Sequence, residues 1–368
     1  MLPNPFQKQL PEFKDTDPLK NREIVRELLG PEGVHKYRKI LGDNSYNQNK
    51  RQKDVSREEL LAIAAEALSK IDSLSRDIFK PIFERLIEKG YTSQIKSLKE
   101  INFLETKDNK LGLTAIDNKF YEVPTTEAIT NHFLFIPNIK QKIDQGFTRL
   151  LIVPFGFSLD TLRGKTVKLI KKHKKANKLF AEDGSSLELD EKKPLWALGQ
   201  YNNADKSGDL VYYPEQFDKE NHGGKTKRDL LSSVASFPGY HILLIQEDQT
   251  IQRGGEGAIK EGRNQIGTGK SPNDYLELFK TDESYSKELG LTPEDWLTLF
   301  ATNLNQKNKV INDWESDKDS INYLVGSYFP DFDSVPGAYW SRGYEQARLG
   351  GREPLNVDER YGVAGGVG

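Results

Sequence analysis

Gly267-Thr268-Gly269-Lys270-Ser271 spells the end of a phosphate-binding loop, whose chemistry is to cradle phosphate oxygens with backbone N–H groups and a lysine. The loop needs a glycine five places before Gly269, and that place holds Asn264. Ser271 as a helix N-cap with Pro272 at the first helical position accounts for the segment without a nucleotide. Gly254-Gly255-Glu256-Gly257 likewise fails the dinucleotide pattern, because Lys260 stands where the third glycine belongs. His222-Gly223-Gly224-Lys225-Thr226-Lys227 offers an imidazole and two amines beside an anion-binding turn. Thr226 also caps whatever helix follows, so both readings stay open. One alternative is therefore an enzyme acting on an anionic substrate through His222 and Lys225.

Other chemistries are closed by residue type. The 368 residues include no cysteine, which excludes disulfides, thiolate metal sites, iron–sulfur clusters and thiol nucleophiles. The five histidines (His35, His132, His173, His222 and His241) show no metal-ligand spacing, so no metal or cofactor is expected. No Gly-x-Ser-x-Gly elbow is present. Lys165 to Lys178 carries seven lysines, but without interleaved arginines or aromatics they read as the solvated face of a helix. A nucleic-acid module on that helix is a further alternative. The overall balance of 53 basic against 55 acidic residues argues against a polyanion as the main partner.

The elements that must position these residues change along the chain. Residues 1–16 read as an extended arm, Asp17-Pro18 opens a helix to Leu29, and Lys36–Asp54 is a polar loop. Ser56-Arg57-Glu58-Glu59 is a capping box before Leu60, Ile63, Ala64, Ala67 and Leu68. A second helix is predicted over Ser75–Lys89, with Ile78, Phe79, Ile82, Phe83 and Leu86 inward and Gly90 as its stop. Strand-like runs follow at Phe133–Ile136, Leu150–Phe155, Leu210–Tyr213 and Tyr240–Ile245. Helical patterns lie between them at Leu162–Leu179, Lys227–Val234, Pro272–Phe279 and Pro293–Asn303. The irregular alternation predicts α+β rather than a doubly wound sheet. Met1–Lys14 lacks the apolar segment of a signal peptide, and no apolar run is long enough to cross a bilayer. A soluble protein made in the cytoplasm is expected, with its compartment left open.

Residues 337 to 361 differ from all of this. They are dense in Tyr, Trp, Arg, Ser, Gly and Asn and poor in Lys and aliphatics. That is the composition of a binding surface: flat amphipathic anchors, bidentate donors and small adaptable polar residues. Aliphatic periodicity is nearly absent from the last forty residues, so little packed regular structure is expected there.

Phe329-Pro330, Val335-Pro336-Gly337-Ala338-Tyr339-Trp340-Ser341-Arg342, Gln346-Ala347-Arg348-Leu349 and Gly362-Val363 together resemble the C-terminal end of variable proteins of diversity-generating retroelements. The nearest likeness is to the group found in uncultivated archaea and candidate-phyla bacteria. Phe147–Gly156, His222–Lys227 and Leu291–Phe300 extend the resemblance over residues 126 to 368. It implies a C-type-lectin-like (formylglycine-generating-enzyme-like) domain over 126–368, after a mainly helical region over 1–125. It further implies a non-enzymatic, receptor-type protein whose segment 337–361 is rewritten by adenine-directed mutagenesis. The ligand expected is a protein or a cell-surface group, with surface or virion display open; neither nucleic acid nor membrane insertion is expected.

Positions that an altered Asn codon reaches within the pattern are Ser341, Gly343, Tyr344, Arg348, Gly350, Arg352, Asp358, Arg360 and Tyr361. Tyr339, Glu345, Glu353 and Glu359 join them as candidate ligand-binding residues. Trp340, Gln346, Ala347, Leu349, Pro354 and Gly362 are expected to be scaffold. The family's terminal arginines are replaced here by Ala364 and Gly368, which leaves the pairing of the last strand open. Calcium-dependent sugar binding and formylglycine formation are not implied, because the lectin triplets and the cysteines are missing.

Overall fold

Helix α1 (Arg57–Glu100) is the first element of the computed structural model, which describes residues 57–233, 237–248, 250–251, 253–254, 259–315 and 320–368. The arm, the Asp17–Leu29 helix, the polar loop and the Ser56 cap lie outside the described residues. The chain divides into two compact units, Met1–Pro81 and Ile82–Gly368. In the first, the described residues are helical.

The second unit holds the remaining elements and starts well before residue 126. α1 runs on through Gly90 instead of stopping there. A Cβ at Gly90 would lie 2.9 Å from that of Leu150, so this glycine permits close helix–strand packing. Phe83 and Ile87 are buried on that helix, whereas Ile82, predicted to face inward, is 62 % exposed. β1 (Glu105–Lys107), β2 (Lys110–Thr114) and β3 (Phe120–Glu122) form an antiparallel meander.

α2 (Thr126–Leu134) and α3 (Ile139–Asp144) precede β4 (Phe147–Val153), and α4 (Leu159–Lys175) follows it. The predicted strand Phe133–Ile136 is thus a helix end. Thr125 caps α2, and Ile129 and Phe133, four apart, form its buried face. α4 buries Leu162, Thr166, Leu169, Ile170 and His173 and turns Lys168, Lys172 and Lys175 to solvent.

Next come β5 (Leu195–Ala197), α5 (Ala204–Ser207), β6 (Val211–Tyr212), β7 (Lys225–Thr226), α6 (Lys227–Ser232) and β8 (His241–Gln246). The hairpin β9 (Ile259–Lys260) and β10 (Arg263–Asn264) leads to α7 (Pro272–Thr281), β11 (Glu288–Gly290) and α8 (Pro293–Lys307). The chain then runs through β12 (Ile321–Tyr323), β13 (Ser327–Tyr328), β14 (Val335–Ser341), β15 (Gln346–Arg352), β16 (Tyr361–Val363) and β17 (Gly365–Val367). No described helix is long and apolar enough to cross a membrane.

Two sheets carry the architecture. One is antiparallel, in the order β11-β17-β8-β4; the other is mixed, in the order β16-β12-β14-β15-β5. The last strand is therefore interior to its sheet, paired on both sides, and a Cβ at Gly368 would come within 2.8 Å of Leu243.

Helix α8 packs against β4, β14 and α4, and every residue from Pro293 to Leu304 is buried. Thr292 and Asp295 close its N-terminus with a reciprocal capping box. Glu294, between them, is fully buried and is held by Lys227 at 2.7 Å and the Tyr212 hydroxyl at 2.6 Å. Lys227 also donates to Asp205 at 2.8 Å and to the Phe157 carbonyl at 2.7 Å. Burial pushes the Glu294 carboxyl above the ordinary range, and the Lys227 charge opposes that rise. Lys227 of the His222–Lys227 stretch is thus an internal tie, not a surface amine.

Candidate ligand-binding face

The segment expected to lack regular structure is the central hairpin of the mixed sheet. Its register pairs Gly337 with Gly350, Ala338 with Leu349, Tyr339 with Arg348 and Trp340 with Ala347. Successive strand residues point to opposite faces. Ala338, Trp340, Ala347 and Leu349 are all fully buried, and the Trp340 ring stacks on Phe300 of α8 with centroids 6.3 Å apart. These small and aromatic residues form a two-residue apolar period that a search for aliphatics passes over. Gln346, Pro354 and Gly362 are buried as well.

The opposite face carries Tyr339, Arg348, Gly350 and Arg352, each partly exposed. The parallel neighbour β5 places Trp196 beside Arg348. The Arg348 guanidinium lies 4.1 Å from the Trp196 ring centre and 4.2 Å from that of Tyr344, so it is held between two aromatic planes. Arg352 lies 5.1 Å over Tyr361, and Arg360 lies 5.8 Å over Trp314, whose ring meets Tyr339 edge-on at 6.1 Å. Tyr344 is 62 % exposed at the tip of the hairpin. Gly343, Glu345, Glu353, Glu359 and Arg360 are exposed around it, and Asp358 is partly so.

The β14–β15 turn, residues 342–345, is clamped from below by a loop between α8 and β12. Glu315 accepts from the Ser341 hydroxyl at 3.0 Å and from the backbone N–H groups of Arg342 and Gly343. Asp313 takes the Arg342 guanidinium in a fork at 2.8 and 2.5 Å, and Asp183 adds a third contact at 3.1 Å. Burial raises the Asp313 carboxyl above its ordinary value against the pull of Arg342. Hydrogen bonds from Ser185, then from Arg342, hold Asp183 down at about 2.

Exposure fails at two of the expected surface positions. Ser341 is fully buried because its hydroxyl is spent on Glu315. Tyr361 is 4 % exposed because α7 covers its end of the sheet, where it stacks on Tyr323 at 4.5 Å. The Gly267–Ser271 stretch serves the same cover. Ser271 caps α7 with Pro272 at its first turn, and the Tyr275 hydroxyl donates to the Gly267 carbonyl at 2.8 Å. The His222 Nδ1 atom accepts the Gly224 N–H at 3.0 Å, and Thr226 caps α6 through a reciprocal box with Asp229. Lys225 is exposed on β7.

Trp196, Trp314, Asp313 and Glu315 had no signal in the sequence as members of this face. They reach it through a parallel pairing and a long connection, and no local motif marks either. Comparison with protein-family models, curated proteins and solved structures finds no match for the chain.

Proposed function

We infer that this chain is a non-enzymatic, ligand-binding variable protein of the diversity-generating retroelement type, with a C-type-lectin-like domain that presents its C-terminal hairpin. One observation carries the reading: the residues of the resembling pattern separate by face. Tyr339, Arg348, Gly350 and Arg352 share the open face of β14–β15, while Trp340, Ala347 and Leu349 face α8. Substitutions on the open face leave the packing against α8 intact, which is what a surface that changes its specificity requires.

The clamp of Asp313 and Glu315 supports the same reading, because it fixes the turn through Arg342 and backbone N–H groups instead of through the exposed side chains. A broad surface of rings and guanidiniums suits a protein or cell-surface ligand. The test is a display library randomised at Tyr344, Glu345, Arg348, Arg352, Glu353, Glu359 and Arg360. Most members fold, and selections against unrelated proteins return different binders. A library that mostly unfolds, or returns no specific binder, overturns the inference.

A further inference from the structure

The open face has a centre with a definite chemistry. Gly350 is directly paired with the buried Gly337, over which the Tyr361 ring lies, whereas a Cβ built on Gly350 meets nothing within 4 Å, so the sheet surface is bare at Gly350. Arg348 and Arg352 stand on either side of Gly350 on the same strand, their Cα atoms about 13 Å apart. Neither makes an ion pair among the described residues, and the Arg348 guanidinium makes no hydrogen bond there either. Arg352 gives one contact, to the Gly351 carbonyl at 3.3 Å, and Asp358, whose carboxyl its charge helps to lower, is already forked by Arg360 at 2.9 and 2.7 Å.

Tyr339 stands directly opposite Arg348 on the neighbouring strand. Burial raises its hydroxyl above the ordinary value, and the Arg348 charge opposes that rise. The Lys193 ammonium adds a further positive charge, 5.8 Å over the Trp196 ring. A stacked guanidinium meets a carboxylate through its in-plane N–H groups, with two parallel hydrogen bonds, and the buried Arg348 Nε atom has no partner among the described residues.

We propose that the bare strip at Gly350, between Arg348 and Arg352, takes an acidic segment of a protein partner, with its carboxylates on the two arginines and the Tyr339 hydroxyl beside Arg348. This rests on the reading of the hairpin as a ligand-binding face and names the ligand of this particular version of it. A protein segment fits better than a nucleic acid. Glu345, Glu353 and Glu359 are exposed around the strip and repel a continuous polyanion, whereas a folded or extended peptide sets its few carboxylates between them.

The experiment titrates the whole chain with a labelled oligoglutamate peptide at low salt, beside an oligodeoxythymidylate of equal charge. The peptide binds the wild type more tightly than the oligonucleotide does. Arg348→Gln and Arg352→Gln each weaken it about tenfold, and Arg348→Lys falls in between because it keeps the charge but loses the fork. Lys168→Gln with Lys172→Gln, on exposed α4, leaves binding unchanged. If Arg348→Gln does not fold, Arg352→Gln and Arg348→Lys decide the matter. No peptide binding, equal loss in the α4 variant, or preference for the oligonucleotide overturns the proposal. Variation of the gene's codons 337–361 is read separately: display stands if only the peptide fails, and the anion site stands if only the variation fails.

Discussion

Glu345 sits at φ 53°, in the left-handed region that an L side chain enters at a cost; it closes the turn by donating its N–H to the Arg342 carbonyl, and its own carbonyl receives the Asp190 N–H. Glu345→Gly is expected to raise stability by up to about 1 kcal/mol in urea unfolding, while Glu345→Val lowers it. The reverse order contradicts the turn geometry. Its neighbours differ in the same test. Ser341→Tyr overpacks a fully buried site and is expected to cost about 1–3 kcal/mol, whereas Tyr344→Ser stays within about 0.5 kcal/mol. Equal costs for the two contradict the separation of faces. At this scale the residue types of the open face were legible in the sequence. It did not reveal that Ser341 and Tyr361 are covered, because one hydroxyl finds Glu315 and one ring finds Tyr323 only across long chain separations.

The hairpin is rigid because two acidic side chains of another segment hold its turn. Arg342→Ala removes this guanidinium from Asp313, whose side chain has no solvent exposure. The expected loss is about 3 kcal/mol in denaturant unfolding, with ligand binding falling along with the order of the turn. An unchanged midpoint contradicts the clamp. Helix caps were the most legible elements: Ser271-Pro272 and Thr226 act where their local pattern places them, since capping needs only neighbours in sequence. The strands β14 and β15 were illegible for the converse reason. Their inward residues are Ala, Trp, Ala and Leu among glycines and arginines, so alternation survives while aliphatic content does not. Gly90 misled as a helix stop, because its role is the approach of Leu150 from a strand far along the chain.

The molecule as a whole is a mixed α+β fold in which one buried helix, α8, backs the sheet that carries the candidate site. Its core is rich in tyrosine, and this sets its alkaline limit. Burial pushes Tyr275 and Tyr361 up to about 12, and Tyr201, Tyr212 and Tyr240 further still. Unfolded, each loses its proton near the ordinary value of 10.0. Their contribution is therefore complete below pH 10 and is lost as pH rises through 12, with Tyr275 and Tyr361 each withdrawing about 2–3 kcal/mol by then. Melting temperature is expected to fall steeply above pH 10, with tyrosinate absorbance rising in step with unfolding; tyrosinate appearing fully in the folded state contradicts this. The α+β class was legible from the alternation of patterns, whereas the start of the second unit at Ile82 was not, because β1–β3 are short and polar.

The central claim is that the open face of the hairpin changes while its buried face does not. It is tested most directly by sequencing codons 337–361, with the flanking DNA, across many isolates. Adenine-derived substitutions are expected at Tyr344, Arg348, Gly350, Arg352 and Arg360, beside a near-identical template copy and a reverse transcriptase gene, with Trp340, Ala347 and Leu349 constant. A uniform segment with no template copy, or substitutions that fall equally on the residues facing α8, contradicts the account.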